Sequence, residues 1–222
     1  MCIASSTKSK ELQIYYGAKE DRIIVAYLTV DVGYFRFERE EYHSNKLLFI
    51  GSLIERKGID LLLKALSLVK KDYTLTIVGD GEEKSRLVDY VEQNGMKEFV
   101  EFVPFKQKEE LREIYNTHDI FVLPTREDCF GLVINEAMAA SMPVISLCCA
   151  DGVYDLVIDG ENGYIVNPYD SVYFANTIEK LIDNYELVEK MGKASYETIS
   201  NFSFDRTSEA IGEAINRTLD NI

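Results

Sequence analysis

From residue 46 onward the chain alternates between short apolar runs and stretches with helical spacing. Lys46 to Ile50 is an apolar run closed by Gly51, the pattern of a strand buried on both faces. Residues 57 to 70 place Ile59, Leu62, Leu63, Leu66 and Val69 three and four positions apart, which predicts an amphipathic helix. Further strands are predicted over Tyr73 to Val78, Phe99 to Val103, Asp119 to Leu123, Pro143 to Leu147 and Tyr164 to Val166. Helices are predicted over 83–93, 107–115, 132–140 and about 153–158, with more running to the C-terminus. Continuously apolar strands, each followed by a helix, predict a parallel sheet covered on both faces. The fold class is α/β and Rossmann-like, with residues 46–200 as the domain that carries it.

The first 45 residues fit that unit less well. A helix over 6–16 and an isolated strand at Ile23 to Ala26 lead into an irregular, charged stretch, 36–46. Residues 1–45 therefore read as the tail of another unit plus a linker, and 201–222 as a separate C-terminal helix. On this reading an apolar surface around Ile14, Ile23, Ile24 and Val25 is exposed and favours self-association.

Composition narrows the function. The 222 residues are 46% hydrophobic and 28% charged, enough to bury a sizeable core. Acids outnumber bases 38 to 24, a net charge of −14, and a field of that sign repels nucleic-acid backbones while leaving room for one local basic pocket. No apolar run approaches the ~20 residues of a membrane span, and the N-terminus lacks the basic start and apolar stretch of a signal peptide. Of the cysteines Cys2, Cys129, Cys148 and Cys149, the adjacent pair lies in an apolar run and reads as small core residues. No disulfide framework or zinc site is indicated, and a cytoplasmic compartment follows. The only histidines are His43 and His118, which excludes a histidine-rich metal centre; His118, just before a strand, reads as a surface or core-edge residue.

In open parallel sheets, ligands lie beyond the C-terminal ends of the strands, at helix N-termini. The loop Gly51-Ser52-Leu53-Ile54-Glu55-Arg56-Lys57-Gly58 offers two cations to a phosphate, or is simply a solvated helix start. Gly79-Asp80-Gly81 carries two glycines of a dinucleotide fingerprint, but Lys84 stands where the third belongs. The most informative segment runs from Pro124 to Ala139. Asp128 lies in its loop and Glu136 inside the following helix, about 7 Å along it. A carboxylate in so apolar a helix is costly unless partnered, and its two oxygens can accept both hydroxyls of a ribose. Amides after Gly131 would form an anion site at the helix start. The competing reading makes Asp128 a helix cap and pairs Glu136 with a neighbour; a glycosidase acid pair is another, without the aromatic cleft it needs.

Taken together, GSLIERKGID, LTIVGDGEEKSRL, VEFVPF, DIFVLPTREDCFGLVINEAMAASMPVIS and DGENGYIVNPYD resemble, in order, the C-terminal, donor-binding half of a GT-B glycosyltransferase. The similarity is to the retaining family 4 type (glycosyl transferases group 1) and runs from about 46 to 170, with the terminal helices extending it. Residues 4 to 35 resemble the segment that leaves the family's N-terminal domain.

The resemblance implies transfer of a sugar, with retention, from a UDP- or GDP-type nucleotide sugar to an acceptor glycan, lipid-linked sugar or other acceptor, with no metal or cofactor. By it, Glu136 holds the ribose, Asp128 holds donor-sugar hydroxyls, and Lys57, with Arg56, neutralises the diphosphate. Backbone at Phe130, Gly131 and Leu132 lines the sugar-diphosphate site. Gly51, Ser52 and Gly79 lie at the nucleotide, with Phe105 beside the base. Three departures stand out: Asp128 where glutamate is usual, Ser52 where an arginine commonly contacts phosphate, and Ser141 for a glycine, read as a packing change. A complete enzyme has two such domains, and the acceptor pocket belongs chiefly to the first. The resemblance thus implies that the N-terminal domain is essentially missing or separately encoded, and that the chain is inactive alone. The alternatives are a non-catalytic partner or truncated relic, and a GT-B epimerase. The family's habit adds a peripheral place at the inner membrane face.

Overall fold

The computed structural model describes residues 1–37, 39, 43–167 and 169–220. The chain opens with β1 (Cys2–Ala4), α1 (Thr7–Tyr15), β2 (Ile23–Val25) and α2 (Val32–Phe35). The main unit follows with β3 (Lys46–Ile50), α3 (Ile59–Leu66), β4 (Thr74–Val78), α4 (Lys84–Gln93), β5 (Val100–Val103) and α5 (Lys108–Asn116). It continues with β6 (Ile120–Leu123), α6 (Leu132–Ala139), β7 (Val144–Leu147), α7 (Val153–Leu156) and β8 (Gly163–Val166). Helices α8 (Ser171–Leu181), α9 (Tyr185–Ile199) and α10 (Phe204–Leu219) end the described chain.

Each strand predicted from residue 46 onward forms, with its start moved by at most one residue. All six pair in parallel in the order β5-β4-β3-β6-β7-β8. Leu47 to Ile50, all of β6 and all of β7 are buried, which explains why those runs show no alternation. The apolar stripe of α3 buries Ile59, Leu62, Leu63 and Leu66, as the spacing predicts. The helix is shorter than 57–70, because Glu55–Lys57 is a separate 3-10 turn and Leu68 and Val69 make tighter turns after it.

The strand order fixes where a ligand can lie. From β3 the chain builds outward to β5, then returns to β6 on the other side of β3 and builds away to β8. The chain thus leaves β3 and β6 toward opposite halves of the sheet, and such a switch point is where open α/β sheets place their ligand crevice. Two glycines let backbones meet at this end of the sheet, Gly58 between the loops after β3 and β6 and Gly79 between those after β4 and β3. A Cβ on Gly58 (φ +68°) would lie 1.9 Å from the Pro124 carbonyl oxygen, and one on Gly79 (φ +146°) 2.0 Å from that of Gly51.

The N-terminal elements depart from the sequence reading. The strand at Ile23–Val25 is not isolated: it pairs in parallel with β1, Cys2 opposite Ile23. Helices α1 and α10 pack on this ribbon, so Ile23 and Ile24 are buried, at 8% and 9% exposure. The expected sticky surface is thus not formed by those residues, although Ile14 remains exposed. The strand at residues 2–4 went unrecognised because three residues are too few for a period to show. Of the charged 36–46 stretch, residues 38 and 40–42 lie outside the described residues, as do 221 and 222 of the expected C-terminal helix. Arg39 is anchored by the carbonyls of Tyr115, His118 and Ala140, at 2.9, 2.7 and 3.1 Å.

Two further expectations change. Cys148 and Cys149 are half-buried free thiols, not core, because β7 ends at Leu147 and the chain turns. Ser141 is more than a packing change: it holds a left-handed backbone (φ 56°) just after α6, where glycine is unstrained. Ser141→Gly should therefore raise stability by about 1 kcal/mol, read as a higher urea midpoint at unchanged slope. Gly58→Ala should lower it by at least about 2 kcal/mol, from strain plus collision with Pro124. An unchanged midpoint in either variant would contradict the backbone argument.

Candidate functional site

The loop after β3 and the loop after β6 form one scaffold. Arg126 is its clamp: Nη1 and Nη2 meet Asp60 Oδ1 and Oδ2 at 2.8 and 2.7 Å, and Nη1 also donates to the Glu55 carbonyl at 2.7 Å. The Arg126 amide and the Thr125 hydroxyl both donate to the Arg56 carbonyl, at 2.8 and 3.2 Å. Bidentate pairing fixes orientation as well as distance. Burial alone would raise the Asp60 carboxyl, but the hydrogen bond and charge of Arg126 hold it below its ordinary range.

On this scaffold Lys57 Nζ donates to Asp128 Oδ2, with only 16% and 15% of the two side chains exposed. Burial works against the Asp128 carboxylate, yet Lys57, helped by the Phe130 amide (3.3 Å) and Arg56, holds it below the ordinary 3.8. Asp128 is therefore not the helix cap: Gly131 occupies that position, and no side chain caps α6. Among the described residues, the amides of Gly131, Leu132 and Val133 donate to no protein acceptor, which leaves donors for an anion.

Glu136 is half-buried on α6, and its Oε2 accepts from the Tyr115 hydroxyl at 2.8 Å. Burial pushes its carboxyl upward, opposed by the Tyr115 hydrogen bond and then by the charge of Lys108. Glu136 thus has a protein neighbour of the kind the competing reading gave it, on a helix the sequence could not connect to it.

A separate cleft of about 300 Å³ is lined by Ile50, Gly51, Ser52, Val78, Gly79 and Phe105, among others. It brings together four of the residues expected at a nucleotide. Phe105 is 66% exposed, and its amide donates to Asp80 Oδ2 at 3.3 Å while Lys84 meets Oδ1 at 2.6 Å. Phe130 is buried in the core, so only its backbone is available, whereas Leu132 is exposed. Arg56 Nη1 donates to the Glu127 carbonyl at 2.8 Å, and Ser52 lines the cleft without a cation of its own.

A larger groove of about 380 Å³ lies at the opposite, N-terminal ends of the strands, bordered by Lys46, Thr74 and His118. His118 is satisfied there, with Nδ1 at 2.7 Å from the Ile114 carbonyl and Nε2 at 2.8 Å from Thr76 Oγ1. Burial lowers its pKa, as suits a core-edge histidine. Among the described residues, no group of three or more His, Cys, Asp and Glu side chains could hold a metal ion, and no helix is long and apolar enough to cross a membrane.

Arg126, Asp60, Tyr115 and Asn135 are the contributors that sequence reasoning missed. Asn135 is fully buried beside Glu136, and its Nδ2 donates to the Leu28 carbonyl at 3.3 Å. A polar residue next to Glu136 in an apolar helix was the available signal; for Arg126 and Asp60 there was none, because their pairing is tertiary.

Residues 34–198 match the family model described as glycosyl transferases group 1. The D-inositol 3-phosphate glycosyltransferase of Corynebacterium diphtheriae is 29% identical over 178 residues, covering 76% of this chain and 42% of the relative. The chain spans about half the length of the curated relatives it matches. Among solved structures, a glycosyltransferase from Rickettsia africae superimposes with a TM-score of 0.87 at 21% identity, covering 99% of this chain and 64% of that one. Anabaena HepE in complex with UDP-glucose gives 0.81 at 22%, covering 99% and 63%. At these identities the structures establish a shared fold, the Rossmann-like half of a GT-B glycosyltransferase.

The Lys57–Asp128 contact predicts a specific pH response. Because the native Asp128 value is lowered, the pair's contribution is complete above pH 3.8 and is lost as pH falls through that lowered value. Lys57→Met should cost about 1–3 kcal/mol at neutral pH and remove this part of the acid loss. Urea unfolding of both proteins across that range checks it; identical acid limbs would refute the coupling.

Proposed function

The chain belongs to the glycosyl transferases group 1 family, and from that membership we propose that it is the nucleotide-sugar half of a retaining glycosyltransferase. The observation that carries this reading is the meeting of Lys57 and Asp128 across the crevice between β3 and β6, beside the unpartnered amides that open α6. A site that pairs one cation and free amides with one carboxylate suits a ligand that presents both phosphate and hydroxyl groups. The complexes of HepE with UDP and UDP-glucose support a nucleoside-diphosphate sugar as that ligand.

In this scheme Lys57 and the amides of Gly131 and Leu132 neutralise the diphosphate, and Asp128 accepts hydroxyls of the donor sugar. Glu136 accepts the ribose diol. The base enters the cleft of Gly51, Ser52 and Gly79 against Phe105. Arg56 adds positive charge to the loop rather than a direct phosphate contact, because its Nη1 already serves Glu127. As the sugar leaves, negative charge grows on the diphosphate, and donors fixed in place stabilise that charge without reorganising. Charge neutralisation is assigned to side chains and amides, not to a metal ion.

The acceptor, a glycan or lipid-linked sugar at the cytoplasmic side of a membrane, is assigned to residues beyond this chain, which spans about half of its relatives. Transfer by the isolated chain should then be slow or undetectable.

Calorimetric titration with UDP, GDP and ADP tests the donor role. One nucleotide should bind selectively, and Glu136→Ala should weaken it several-fold or more. Equal affinity in the variant would remove the ribose role, and no binding of any of the three would overturn the donor reading for this chain.

A further inference from the structure

Tyr115 is fully buried, and its ring is fixed edge-on to Phe35 at 5.6 Å and tilted against Phe121 at 6.1 Å between centroids. Its backbone carbonyl accepts from Arg39 Nη2 at 2.9 Å, which adds a polar anchor to the packing of the ring. Only the hydroxyl is polar, and it ends on Glu136 Oε2. Phenylalanine would fill the same volume without burying a hydroxyl, so packing does not account for the phenol.

Resting on the nucleotide reading above, we infer that Tyr115 is a positioning residue for the ribose-binding carboxylate. Its buried hydroxyl fixes Oε2 of Glu136, favours the acceptor form of the group, and leaves Oε1 and a second lone pair of Oε2 for the ligand. Oε1 has no hydrogen-bond partner among the described residues. A half-buried glutamate without such a donor would tend to protonate or swing toward water, and either change spoils a diol site that needs two acceptor oxygens in fixed places.

The charges around Glu136 allow the role to be isolated. Tyr115 and Lys108, both on α5, are the groups that favour its ionised form, against its burial. Lys108 is itself held over the rings of Tyr34 and Phe35, at 4.2 and 5.6 Å from their centroids. Among the described residues no charged group from α2, α7 or α9, which also pack on α6, contributes. The Tyr115 phenol stays protonated, because burial, with the neighbouring Glu136 charge, raises its pKa well above the ordinary value. It is therefore a donor throughout the pH range in which Glu136 titrates.

The full chain, labelled with ¹³C at the Glu side-chain carboxyls and assigned with Glu136→Gln, gives the direct test without ligand. In Tyr115→Phe the Glu136 titration should move to higher pH, because a stabiliser of the charged form is gone. In calorimetry, the preference of wild type for a ribose over a 2′-deoxyribose nucleotide should fall at least about threefold in Tyr115→Phe. It should also be lost at higher pH than in wild type as the solution is acidified. A structural role alone would change stability while leaving the Glu136 titration and the ribose preference in place.

An unmoved Glu136 titration in folded Tyr115→Phe overturns the inference. If that variant does not fold, the Tyr115 Cζ resonance in Glu136→Gln decides the matter: a shift supports the contact, and no shift overturns it. Unchanged nucleotide affinity in Glu136→Ala would instead sink the ribose reading, leaving the Tyr115–Glu136 coupling to stand or fall on the ligand-free titration.

Discussion

The Pro124 carbonyl oxygen lies 1.9 Å from where a Cβ on residue 58 would be, so the loops after β3 and β6 can touch only over a glycine. That contact sets the register of everything else at this end of the sheet. It lets the Arg56 carbonyl take donors from Thr125 and Arg126, and it aligns Arg126 with Asp60. Lys57, the residue before that glycine, then reaches Asp128. Strand order supplies the crevice, and the close backbone crossing gives it defined walls.

The two loops at the crevice are balanced, with Arg56, Lys57 and Arg126 against Glu55, Glu127 and Asp128, in a protein whose overall charge is −14. Lys57, Arg56 and Arg126 gather in two loops, but Arg126 is committed to Asp60 and Arg56 Nη1 to a carbonyl. Lys57 is committed to the carboxylate a ligand would also use, so neither half-buried charge stands uncompensated in the free protein. Replacing both partners of such a pair by apolar residues would change stability little, whereas removing one leaves the other charge uncompensated. The value of the pair is that two opposite charges are held at one place.

The N-terminal elements join the same framework through hydrogen bonds. The Asp128 amide donates to the Cys149 carbonyl and the Asp151 amide to the Asp128 carbonyl, at 3.0 and 3.1 Å, tying the β6 loop to the one after β7. Asp155, on α7 just beyond, accepts the Thr7 amide at 2.9 Å and the Thr7 hydroxyl at the start of α1. Helix α10 packs on the β1–β2 ribbon, so the two ends of the described chain meet. A short connected path therefore links Asp128 to the segment that precedes the sheet.

Much of the main domain was legible because its information is local. Short apolar runs bounded by turn residues, such as Ile120–Leu123, favour a strand buried on both faces, and the stripe from Ile59 to Leu66 faces inward. Asp128, Lys57 and Glu136 could be named as candidates because charge near apolar strand ends needs a reason. The parallel partner of Ile23–Val25, the burial of Ile23 and Ile24, the left-handed Ser141 and the clamp of Arg126 on Asp60 were not legible. Each depends on residues far apart in the chain or on a backbone angle that no residue type declares. Local pattern was enough to set the α/β alternation and to single out the residues with something to do. Tertiary structure alone decided which met: Lys57 with Asp128 and Tyr115 with Glu136, because such contacts depend on the order in which strands pair and on how closely two loops can pass.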